Sequence, residues 1–65
     1  MNDWKVGLSV VCIKDYGPMK VGVQGVIVER QDTFWNISWG ISFYKGSKKI
    51  IVKSDDMARY VKKIE

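Results

Sequence analysis

Trp35-Asn36-Ile37-Ser38-Trp39-Gly40-Ile41-Ser42-Phe43-Tyr44 is the stretch that decides the fold. Trp35, Ile37, Trp39, Ile41 and Phe43 take every second position, with Asn36, Ser38, Gly40, Ser42 and Tyr44 between them. Successive side chains of a strand point to opposite faces, so this alternation predicts a strand from Trp35 with one buried face that carries both tryptophans. Gly40 marks the place where a bend or bulge would fall, the device by which a small sheet turns a corner. Burying Trp35, Ile37, Trp39 and Phe43 at about 25 cal/mol per Å² would contribute several kcal/mol, which a domain of this size needs against its backbone entropy.

Turn formers punctuate the chain on both sides of this strand. Lys45-Gly46-Ser47 reads as a hairpin turn leading to a fourth strand, Lys48 to Lys53, with Ile50 and Val52 against Lys49, Ile51 and Lys53. Upstream, Gly25 to Arg30 reads as a second strand, with Val26 and Val28 on one face and Ile27 on the other, closed by the polar turn Gln31-Asp32-Thr33. Leu8 to Ile13 reads as the first strand, and Lys14 to Gln24 as a long connection turned by Gly17-Pro18. Ser54-Asp55-Asp56 supplies a capping oxygen and first-turn carboxylates, a helix start. Only Met57-Ala58-Arg59 follows before the β-prone Tyr60-Val61, so a single 3-10 turn is expected, then a fifth strand from Val61 to Ile64. These elements predict one all-β domain over residues 1–65, a small five-stranded antiparallel half-open barrel that buries one face without long exposed edges.

Composition narrows the functions. The 65 residues are 46% apolar and 28% charged, too hydrophobic for a disordered tail. One cysteine and no histidine exclude an internal disulfide, a structural zinc site and any histidine-dependent triad. Cys12 lies in an apolar run, where a thiol behaves as a small hydrophobe. Asp55 and Asp56 are adjacent rather than facing, and Gly22-x-x-Gly25 lacks the Lys-Ser/Thr of a phosphate loop. No enzymatic activity and no cofactor are expected. The N-terminal Met1-Asn2-Asp3-Trp4-Lys5 has no basic segment ahead of an apolar run, and no stretch approaches the ~20 apolar residues of a membrane span. A cytoplasmic protein is expected, with a reduced thiol and no membrane or metal partner.

The residues Val6-Gly7-Leu8-Ser9-Val10-Val11-Cys12-Ile13 and Val21-Gly22-Val23-Gln24-Gly25-Val26-Ile27-Val28 place a glycine before a V-x-V strand and then a G-x-x-G-x-V pattern. In this the chain resembles the SH3-like barrels and, within them, the KOW-type modules of transcription and ribosomal proteins. Trp35-x-Ile37-x-Trp39 resembles their central strand, and Ser54-Asp55-Asp56-Met57 is similar to their 3-10 turn before the closing strand. The resemblance implies a five-stranded barrel that acts by binding, the group's ligands including RNA, DNA, proline-rich peptides, modified histone tails and partner proteins.

The net charge of +4 is placed unevenly. Residues 1–44 are neutral, and the whole excess lies in residues 45–65. An asymmetric positive field favours anionic partners, with nucleic acid first. The nucleic-acid candidates are Lys45, Lys48, Lys49, Lys53, Lys62 and Lys63 for phosphates, with Tyr44 and Tyr16 to stack on unpaired bases. Lysines also protect edge strands, which competes with binding as the explanation for any one of them. The alternative is a protein-interaction module or small inhibitor, of phage or plasmid type, that docks on a larger protein. Its apolar surface would be built from Val21, Val23, Phe34 and Trp4, and such a patch would also permit a homodimer.

Overall fold

A computed structural model describes residues 4–64; Met1-Asn2-Asp3, read above for targeting signals, and Glu65 lie outside the described residues. Five strands form one antiparallel sheet: β1 (Ser9–Cys12), β2 (Gln24–Asp32), β3 (Ile37–Phe43), β4 (Lys48–Lys53) and β5 (Val61–Lys63), with helix α1 (Ser54–Tyr60) between the last two. The spatial order is β4-β3-β2-β1-β5, so the sheet is open, with β4 and β5 as its edges. The fold is the small all-β architecture that the alternation predicts. The first and last strands are neighbours: Val10 pairs with Lys63, and the Ile64 N–H donates to the Ser9 carbonyl at 3.0 Å.

The core lies on one face of the sheet. Val10 and Cys12 of β1, Ile27 of β2, Trp39, Ile41 and Phe43 of β3, Val52 of β4 and Val61 of β5 all point there and are buried. Met57 of α1 and Met19 of the first loop cover them, while Trp4, Leu8, Val23 and Ile50 pack at the margin. A sheet so short gains its stability from such bulky, fully desolvated side chains.

The sequence reading holds for most of β3 and fails at its start. Trp35, expected in the core, is 84% exposed. β2 runs on through Gln31 and Asp32, which were read as turn, and β3 begins at Ile37. The chain reverses between Thr33 and Asn36. There the Thr33 hydroxyl accepts from the Asn36 N–H at 3.0 Å and the Trp35 N–H at 3.3 Å, and donates to the Asn36 carbonyl at 2.8 Å. A hydroxyl that satisfies the backbone in this way stabilises a turn over a continued strand.

The expected irregularity near Gly40 occurs on the neighbouring strand. The register steps from Ile27 opposite Ile41 to Glu29 opposite Gly40, leaving Val28 as a bulge. Gly40 is close to that strand instead: a Cβ there would lie 3.0 Å from Cγ of Glu29, whose side chain crosses over it and would have to shift by a few tenths of an ångström.

The 3-10 turn expected before β5 is instead a seven-residue α-helix that runs through Tyr60. Lys53 is its N-cap and no side chain caps it, so the capping role read for Ser54 is not filled. Asp55 and Asp56 in the first turn and Arg59 in the last complement the helix dipole. Tertiary contact carries the helix past its β-prone end. Met57 is fully buried, and Tyr60 packs edge-on against Tyr16 with ring centroids 4.6 Å apart.

Candidate nucleic-acid interface

The second face of the sheet is left uncovered by the helix and the first loop. Strand register assigns it Ser9 and Val11 of β1, Gln24, Val26 and Glu29 of β2, Ser38, Gly40 and Ser42 of β3, Lys49, Ile51 and Lys53 of β4, and Lys62 of β5. Val26, Val28, Ile51 and Ile64 are exposed. The short side chains of Ser9 and Ser42 and the bare backbone of Gly46 leave a shallow depression of about 480 Å³ among Val26, Val28, Ile64 and Lys45.

Register divides the predicted lysines. Lys49 and Lys53 stand four residues apart on the uncovered face of edge strand β4, and Lys62 lies on the same face at the opposite edge. Lys48 is paired with Phe43 and Lys63 with Val10, on the core side of the sheet. The six therefore do not form one cluster. Lys49 forms an ion pair with Glu29, whose carboxyl also accepts from the Gln31 amide at 2.7 Å. These hydrogen bonds, Lys49 first, hold the Glu29 carboxyl below its usual range. Among the described residues Lys45 and Lys53 have no ion-pair partner.

Lys45 and Tyr44 open the β3–β4 turn in an unusual backbone state. Their φ angles are +55° and +54°, followed by Gly46 at +89°. The left-handed region costs a residue with a Cβ about 1 kcal/mol or more, and glycine or asparagine normally fills it. Tyr44 is exposed, with its ring 5.1 Å from that of Phe43. Tyr16 is elsewhere. It sits in the first loop against α1, donating to Asp56 Oδ2 at 3.4 Å, so it does not join Tyr44. Burial first, then the Asp56 charge and hydrogen bond, raise its phenol above the ordinary value.

The residues of the protein-interface alternative are likewise dispersed. Val23 and Trp4 pack against the core margin, and Val21 is exposed in the first loop. Phe34 lies beyond the far end of the nine-residue strand β2, ~30 Å of strand away. Sequence reading missed its neighbour. Phe34 and Trp35, 91% and 84% exposed, form an edge-to-face pair with centroids 4.8 Å apart at the tip of the β2–β3 hairpin. The Thr33-x-x-Asn36 spacing was the available signal, since threonine favours that turn.

Cys12 is buried, with its Sγ 2.8 Å from the Lys14 carbonyl. Among the described residues no three side chains of the His, Cys, Asp and Glu types come together to hold a metal, and no helix is long and apolar enough to cross a membrane. No protein-family model matches the chain, and neither a curated protein nor a solved structure shows significant similarity to it.

Proposed function

We propose that this protein is a non-enzymatic cytoplasmic module that binds nucleic acid on the uncovered face of its sheet. The observation that carries the reading is the Tyr44–Lys45 turn. Two side chains suited to a base and a phosphate are held in left-handed backbone, at the rim of the depression that Lys45 lines. Strained residues that keep their side chains concentrate where those side chains act. Lys53 extends the positive charge along β4, where Glu29 neutralises Lys49, and Lys62 lies on the same face at β5. Phosphate contacts would set position and affinity, and the aromatic a limited base preference.

Fluorescence anisotropy with labelled oligonucleotides at ~50 and ~200 mM salt tests this directly. Binding at micromolar or tighter Kd that weakens steeply with salt is expected. Replacing both Lys45 and Lys53 by glutamine should weaken it about tenfold or more and flatten the salt dependence by about two phosphate contacts. No binding at the lower salt refutes the reading.

Exposure of Phe34 and of the apolar side chains Val26, Val28 and Ile51 favours a second reading, a module that docks on a protein partner. In that complex the lysines would steer association, so salt and the lysine substitutions would slow binding while leaving the dissociation rate nearly unchanged.

A further inference from the structure

We infer that the Phe34–Trp35 pair is a base-stacking platform at one end of the nucleic-acid track, which makes the module selective for single strands. This rests on the nucleic-acid reading above. Several observations converge on it. The two rings are nearly free of contact with the rest of the protein, stand on a turn that Thr33 closes with three hydrogen bonds, and meet each other at 85°. An ordered turn that already presents exposed aromatic faces lowers the entropy lost when a base stacks on them.

Lys53, on the uncovered face, is the lysine of β4 nearest the tip: it pairs with Ser38, three residues along the chain from Trp35. Lys49 follows four residues further on, and the Tyr44–Lys45 turn closes the other end. Aromatics at both ends of a lysine row match the pattern by which proteins hold unpaired strands, with cations along the backbone and rings under the bases. The remaining charges near the tip cancel. Arg30 pairs with Asp32 at 2.7 Å and Lys49 with Glu29, so Lys53 is the local surplus. A duplex keeps its bases stacked inside and could use only the lysines.

The test compares a labelled oligothymidylate of about twelve nucleotides with its duplex on oligoadenylate, using the intact chain and two double variants. One variant is Phe34→Ala with Trp35→Ala, and the other is Lys45→Gln with Lys53→Gln. The aromatic variant should lose about tenfold or more in single-strand affinity with its salt dependence unchanged, and its duplex affinity should stay within twofold. Trp35→Phe should restore most of the loss. Trp35 emission, obtained as the difference between the intact chain and Trp35→Phe, should be quenched by oligothymidylate. Single-strand affinity within twofold of the intact chain for the aromatic variant, alongside a loss in the lysine variant, overturns the stacking role and leaves the nucleic-acid reading standing. If the intact chain binds neither oligonucleotide at ~50 mM salt, both fall. The stacking role alone falls if the rings prove necessary only for self-association or for attachment to phosphatidylcholine vesicles.

Discussion

Trp35 and Trp39 are four residues apart, and they sit at opposite extremes of environment. Trp39 is 5% exposed, faces Val52 across the ladder, and has the Arg30 guanidinium 5.5 Å from its ring. Its indole N–H finds no acceptor, so its value to the fold lies in packing and in the Arg30 contact with its ring. Trp39→Ala should therefore cost about 3–5 kcal/mol, enough to unfold much of so small a domain. Trp35→Ala, which removes a ring already in water, should change stability by no more than about 0.5 kcal/mol. Urea titrations followed by far-UV circular dichroism measure both without relying on tryptophan emission. Similar costs for the two would contradict this assignment of core and surface. Gly25 shows the same sensitivity to local space. A Cβ there would lie 2.7 Å from the Ser42 carbonyl, because β2 and β3 approach closely opposite Phe43.

At the scale of elements, the first loop and α1 are joined through Tyr16. Its ring packs on Tyr60 and its hydroxyl donates to Asp56, while the Lys14 ammonium lies 5.5 Å from the Tyr60 ring centroid. The folded chain holds the Tyr16 phenol proton more tightly than the unfolded chain, chiefly because burial disfavours the phenolate. The stability gained is full below the unfolded value of about 10 and is lost as pH rises through the folded value. Ultraviolet titration of tyrosinate should show a late phase that disappears in Tyr16→Phe, and the variant's stability should fall less steeply in alkali. A titration unaltered by that substitution would refute the coupling.

How much of this was legible in sequence differs from element to element. β4 was read to the residue, because Ile50 and Val52 alternate with Lys49, Ile51 and Lys53 and a glycine turn precedes them. The β2–β3 turn was misplaced, because Trp35 continues the spacing of Ile37 and Trp39, and periodicity cannot register one threonine hydroxyl. The helix was read too short, because Met57 and Tyr60 are held by residues distant in sequence. The site was partly visible. Lysines declare themselves in composition, but the face each one occupies follows from pairing and from the Val28 bulge, which no local pattern shows.

On the scale of the whole molecule, the sheet order places the earliest and latest strands side by side, with Ile64 bonded to Ser9. The long-range pairing of β1 with β5 must wait for the whole chain, whereas β2, β3 and β4 form a local meander. The edge strands are defended by charge, Lys48, Lys49 and Lys53 on β4 and Lys62 and Lys63 on β5.

The bond between Ser9 and Ile64 also sets the start of β1 beside the end of β5. A flexible glycine-serine linker could therefore carry the chain from β5 back to the segment before β1, and new termini could then be cut at Gly46. Such a circular permutant keeps every buried contact and frees Tyr44 and Lys45 from their left-handed turn. It should unfold in urea within about 1 kcal/mol of the original chain, as dichroism would show, while losing the ring and ammonium arrangement of that turn. In this topology the ability to fold and the ability to bind become separable properties of one sequence.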